Sequence, residues 1–95
     1  MASVFKALAD PTRRRVLVLL RHQSRSAGEL ATEFAVSRPT MSAHFTVLRE
    51  AGLISSEKNG KTVTYSINLS VLEEALLSFT QSFGFELRMS RRRSN

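Results

Sequence analysis

The chain has 95 residues and a net charge of +6, with 42% hydrophobic residues and no cysteine. That length fits one small domain, and the hydrophobic content is too high for a disordered chain. Disulfides and thiolate metal sites are excluded, and the calculated pI of 11.1 favours a polyanionic partner.

The charge is unevenly spread. Residues 86–95 carry Arg88, Arg91, Arg92 and Arg93 against Glu86, which is half of the net +6. The expected division is therefore a folded body over residues 1–87 and a basic tail over 88–95. The opening MASVFKALADPTRRR has no long apolar run and meets Pro11, so it does not read as a secretory signal. No apolar run approaches the roughly 18 residues of a membrane span. The expected location is the cytoplasm, without membrane insertion.

Ser3 to Ala9 has a short helical pattern with Val4, Phe5 and Leu8 on one side. Asp10 then reads as an N-cap and Pro11 as the first residue of a second helix reaching about His22. Val16, Leu17, Leu19 and Leu20 make that helix the expected centre of the core. Arg13, Arg14 and Arg15 resemble a cluster aimed at nucleic acid. They spread over about 200° of the helix surface, and Asp10 is a ready partner, so some of them are better read as structural.

Gln23 to Arg25 reads as a loop. Ser26-x-x-Glu29 is a capping-box pattern for a third helix, with Leu30 and Phe34 as its inward stripe. This helix is expected to end near Phe34, and Ala35-Val36 to form a tight link. Ser37 then caps a fourth helix, whose first turn tolerates Pro39.

The fourth helix has two unlike faces at about 100° per residue. Met41, Phe45 and Leu48 form the apolar one. Arg38, Ser42, Thr46 and Arg49 form the other, flanked by Pro39 and Ala43. A merely solvated face would mix Glu with Lys. Small side chains flanked only by arginine suit a surface pressed into a DNA groove. A short helix, a link and this helix make a helix-turn-helix.

Gly52 stops the fourth helix. Leu53 to Lys58 and Lys61 to Asn68 read as two strands, joined at Asn59-Gly60 and with Val63, Tyr65 and Ile67 alternating inward. The hairpin is placed as a wing, with Lys58, Asn59 and Lys61 at its tip facing phosphates. Ser70 reads as the cap of a last helix over Val71 to Phe85. Leu72, Leu76, Phe79 and Phe83 form one continuous stripe on it. A domain this small has limited core to receive the stripe. Wet, it would forgo roughly 1.5–3 kcal/mol per side chain. The expectation is a homodimer through the first and last helices, using Val4, Phe5 and Leu8 with Leu72, Leu76, Phe79 and Phe83.

The segments FKALADPTRRRVLVLL (5–20), AGELATEFAVSRPTMSAHFTVLREAGLI (27–54) and NGKTVTYSI (59–67) resemble the ArsR/SmtB-type winged-helix repressors. The resemblance covers most of the chain. It implies a mostly helical fold with a small β-hairpin wing, a winged helix-turn-helix of four helices, hairpin and fifth helix. It also implies a dimer that binds double-stranded DNA at a palindromic operator and represses transcription, often of its own gene. The family's DNA-reading positions fall on Arg38, Pro39, Ser42 and Ala43, with Thr46 following on the same face. The helix start at Ser37 and Thr40, Arg49 and the wing lysines are left for phosphates. His44 matches a histidine common in the family motif and is read here as mainly a packing or hydrogen-bonding residue.

The chain departs from the metal-sensing members. They carry C-x-C on the third helix, or Asp and His pairs on the last. Here the third helix reads ELATEF and the last VLEEALLSFTQSF. His22 and His44 lie in different elements, and the adjacent Glu73 and Glu74 diverge on a helix. No metal, no cofactor and no thiol switch is expected. The sequence most resembles the metal-independent autorepressors, whose release can come from a protein partner. The alternative is a winged helix used as a protein-interaction module. An enzyme is not expected: there is no nucleophile-base constellation and no glycine-rich phosphate loop.

Overall fold

The computed structural model of the chain describes residues 3–85. Its elements are α1 (Val4–Leu8), α2 (Pro11–His22), β1 (Arg25–Ser26), α3 (Ala27–Ala31), α4 (Arg38–Glu50), β2 (Ile54–Asn59), β3 (Thr62–Ile67) and α5 (Leu69–Ser82). This is a winged helix-turn-helix, mostly helical with a small antiparallel sheet. The expected hairpin is present, but the sheet has three strands in the order β1-β3-β2. The third strand falls in what reads as a loop. Arg25 pairs with Tyr65 and Ser26 with Thr64. Two residues are too few to show a period, and only the partner strand reveals them.

The helix starts follow from side-chain caps. Asp10 Oδ2 accepts from the amides of Thr12 at 2.8 Å and Arg13 at 3.1 Å, opening α2. Ser26 and Glu29 form both halves of the capping box, at 3.0 and 2.9 Å, opening α3. Ser37 Oγ accepts from the Thr40 amide at 3.3 Å, opening α4. Partial burial pushes the Asp10 carboxyl up. The amides of Arg13 and Thr12, with the neighbouring His44 ring and the Arg13 guanidinium, outweigh that and hold it below the ordinary 3.8. Its stabilisation is therefore complete above the unfolded carboxylate range, near pH 4. It is lost as pH falls through the lower folded value. Asp10→Ala should lower stability by about 1 kcal/mol at neutral pH. The deficit should shrink in urea melts as acid protonates the folded carboxyl, toward what a neutral cap retains; a deficit independent of pH would remove the carboxylate charge from the account.

Three boundaries differ from expectation. α3 ends at Ala31 rather than near Phe34, so the turn before α4 is longer than a two-residue link. α5 begins at Leu69, with Asn68 in place of Ser70 at the cap position. It stops at Ser82 rather than Phe85. Gly84 at φ 76° and the Phe85 N–H donating to Thr80 C=O close its end. The hairpin loop is also shifted by one residue. Asn59 pairs with Thr62, leaving Gly60-Lys61 as the loop. Positive φ occurs at Gly60 and not at Lys61, the pattern of a II′ turn.

α4 ends in a Schellman motif. Leu53 N–H donates to Leu48 C=O at 3.0 Å and Gly52 N–H to Arg49 C=O at 2.9 Å, with Gly52 at φ 79°. Both Leu48 and Leu53 are fully buried. The core joins them to Ala7, Val16, Leu17, Leu20, Leu30, Met41, Phe45, Ile54 and Tyr65. Phe45 and Tyr65 rings meet at 4.6 Å, so α4 packs directly on β3. Asn68 ties the end of β3 to the end of α4. Its amide donates to Leu53 C=O at 2.8 Å, and its side-chain Nδ2 to Gly52 C=O at 2.9 Å.

Candidate nucleic-acid interface

The core fixes which side of α4 faces outward. Met41, Phe45 and Leu48 are buried, so Ser37, Arg38, Pro39, Thr40, Ser42, Ala43 and Arg49 are all exposed. Thr46 is half-buried at the edge of that face. Arg38 is the first helical residue, directly before Pro39, in a turn closed by Ser37. Ser37 Oγ also donates to Thr40 Oγ1 at 3.0 Å. Lys58, Asn59 and Lys61 are exposed at the hairpin tip, and Glu57 is the one acid on β2. Among the described residues, no carboxylate lies within 4.0 Å of Arg38, Arg49, Lys58 or Lys61. Their charge is available to an external anion.

The α2 arginines divide. Arg13 Nε donates to Ala7 C=O at 2.8 Å and Nη2 to Lys6 C=O at 3.1 Å. Arg14 Nη1 donates to Leu8 C=O at 2.7 Å. These carbonyls end the short α1, and the two arginines satisfy them. His44, on the inner flank of α4, places Nδ1 3.2 Å from Arg13 Nη1 and Nε2 3.9 Å from Asp10 Oδ2. It faces the protein and not the exposed face. The Arg13–His44 contact joins residues 31 apart, and no local pattern marks it.

A second surface lies on α5, where no residue is buried. Phe79 is 48% and Phe83 60% exposed. Phe79 sits 4.9 Å from the Phe5 ring and 5.0 Å from Phe83. Leu76 is also exposed, whereas Val4, Leu8 and Leu72 pack partly against the chain's own core. Beside this ridge is an apolar groove of about 260 Å³ between α2 and α5, floored by Leu17, Ile67 and Leu72 and edged by Arg14 and Arg21. Among the described residues, no three His, Asp or Glu side chains come together as a metal set. No described helix is long and apolar enough to cross a membrane.

Residues 8–57 match a family described as a helix-turn-helix domain. The stretch runs from the end of α1 to the wing and includes the whole exposed face of α4. The transcriptional repressor SdpR of Bacillus subtilis is 41% identical over 76 residues, covering 80% of this chain and 84% of that protein. The chain belongs to the ArsR family of transcriptional regulators, whose solved members superpose on most of its length. The HTH-type transcriptional regulator CmtR of Mycobacterium tuberculosis is 37% identical over 81 residues, covering 85% of this chain and 69% of CmtR. A crystal structure of an ArsR family transcriptional regulator superposes with a TM-score of 0.75 at 35% identity, covering 84% of this chain and 90% of the other. An ArsR-like regulator from a Rhodococcus species gives 0.73 at 33% identity, covering 85% and 76%. This chain is thus a DNA-binding transcriptional regulator and not an enzyme.

Proposed function

We propose that this ArsR-family protein is a homodimeric, sequence-specific repressor of a palindromic operator, its own operon included. The observation that carries the reading is the division of α4. Three large apolar residues bind it to the core, and every exposed position before its last residue, Glu50, is small, polar or arginine. Arg38 and Ser42 read base edges, with Pro39, Ala43 and Thr46 allowing close approach. Ser37, Thr40, Arg49, Lys58, Asn59 and Lys61 hold phosphates and so set the register. The similarity to SdpR, a named repressor, supports repression.

The dimer forms through α1 and α5, which places two α4 helices in successive major grooves. Phe5, Leu76, Phe79 and Phe83 are its centre, and Val4, Leu8 and Leu72 its flank. The chain has no cysteine for a thiol switch, and its resemblance to the metal-independent autorepressors is what supports release by a protein partner. A DNA-binding role supports a cytoplasmic location. Residues 1–87 form the binding and dimerisation unit. The tail, 88–95, lies outside the described residues and adds sequence-independent phosphate attraction.

A salt titration on the chain's own upstream region tests this. Arg49, Lys58 and Lys61 from both protomers should contribute about −5 to the slope of log K against log salt, at about −0.9 per phosphate, with the tail arginines steepening it further. Deleting residues 88–95 should weaken operator and scrambled duplex by the same factor. A salt-indifferent protein that shifts no upstream fragment would instead favour the protein-interaction module.

A further inference from the structure

We propose that Arg13 and His44 form a positioning link that sets the pitch of α4 for base reading, and that it does so from the α1 side of the molecule. The inference rests on the reading of α4 as the base-reading helix. Arg13 spends its guanidinium in three directions: Nε on Ala7 C=O at 2.8 Å, Nη2 on Lys6 C=O at 3.1 Å, and Nη1 toward His44 Nδ1 at 3.2 Å. A guanidinium only donates, so Nδ1 accepts and the ring proton sits on Nε2. Nε2 faces Asp10 Oδ2, which is itself held by the amides of Thr12 and Arg13. One planar, stiff group therefore joins the last turn of α1, the first turn of α2 and the middle of α4.

The rest of α4 is held differently. Met41, Phe45 and Leu48 rest on the core, and apolar burial is non-directional. It opposes separation far more than it opposes a small roll or tilt. Among the described residues, Arg13–His44 is the one side-chain hydrogen bond from within α4 to another element. His44 itself is only 14% exposed and is no base reader. Arg38 lies six residues away, about 9 Å along the helix axis. A tilt of about 6° pivoting at the clamped end near Leu48, about 15 Å from Arg38, moves Arg38 by roughly 1.5 Å, enough to lose paired hydrogen bonds to a base edge. Phe5, whose ring lies tilted against Phe79, is next to Lys6, whose carbonyl Arg13 grips. The link thus runs from the apolar ridge to the reading helix.

The test compares the full chain with His44→Leu, which removes the acceptor, His44→Gln, which returns one, and Arg13→Lys, which cannot make three contacts at once. Operator and scrambled-duplex affinities are measured at one salt, well below each melting temperature, with the dimer constant measured alongside. His44→Leu and Arg13→Lys should each lower the operator-to-scrambled ratio about tenfold, and the double variant no further. Scrambled-DNA affinity and dimerisation should stay as in the parent, and His44→Gln should recover most of the ratio. The link is overturned if His44→Leu lowers the melting temperature but keeps the ratio. It is equally overturned if both affinities fall together, if His44→Gln rescues nothing, or if the two losses add. A parent chain with no operator preference overturns the base-reading role itself, and the link with it.

Discussion

Phe79→Glu should leave the protein monomeric and raise the dimer dissociation constant more than about a hundredfold. The two-fold axis of a homodimer doubles each interface change. Each ring is already about half buried within its own chain, so losing the rest of the burial at two copies removes roughly 1.5–3 kcal/mol, before the penalty for placing two carboxylates in an apolar contact. Phe79 is 48% exposed in the single chain and touches Phe5 and Phe83, not the central core. The monomer should therefore stay folded. Its operator affinity should collapse toward that of one half-site. Sedimentation equilibrium reads the association, and far-UV circular dichroism checks the fold. A dimer that survives the substitution would move the interface off α5.

Arg38→Ala should flatten the preference for operator over scrambled duplex by about 1–3 kcal/mol per half-site, the range for a bidentate arginine–guanine pair. Arg38 is exposed in the first turn of α4, and the fixed φ of Pro39 after it limits how that turn can flex. The side chain is thus presented from a stiff base. Arg49→Ala is the natural comparison. Arg49 lies in the last turn of the same helix and is assigned to phosphate, so its loss should weaken both duplexes alike. Competition binding at one fixed salt separates the two behaviours. If Arg38→Ala leaves the ratio untouched, that residue does not read bases.

The parts of this molecule visible in its sequence are those governed by neighbours along the chain. Asp10-Pro11, Ser26-x-x-Glu29 and Ser37 announce helix starts because the cap and the capped amide lie within three residues. The outer face of α4 is legible because Met41, Phe45 and Leu48 already determine which side is inward. Features set across the fold are not. The strand Arg25–Ser26 exists only through Tyr65 and Thr64. Asn59-Gly60 marks a tight turn correctly, but the pairing that begins at Ile54 opposite Ile67 decides that Gly60, and not Asn59, enters the loop first. Asn68 replaces Ser70 at the head of α5, while its side chain is committed to Gly52. Arg13 is hardest of all. A run of three arginines suggests a polyanion, yet the first serves α1 and α4.

The clamp at Asn68 bears on the duplex as much as on the protein. Wing and reading helix are spliced through Gly52 and Leu53, with hydrogen bonds of 2.8–3.0 Å on either side. They form a calliper whose two jaws share one braced root. On the proposed reading, in which both jaws meet DNA, the duplex supplies part of the compliance. Base pairs that neither jaw touches then contribute through how easily their groove narrows or their steps kink.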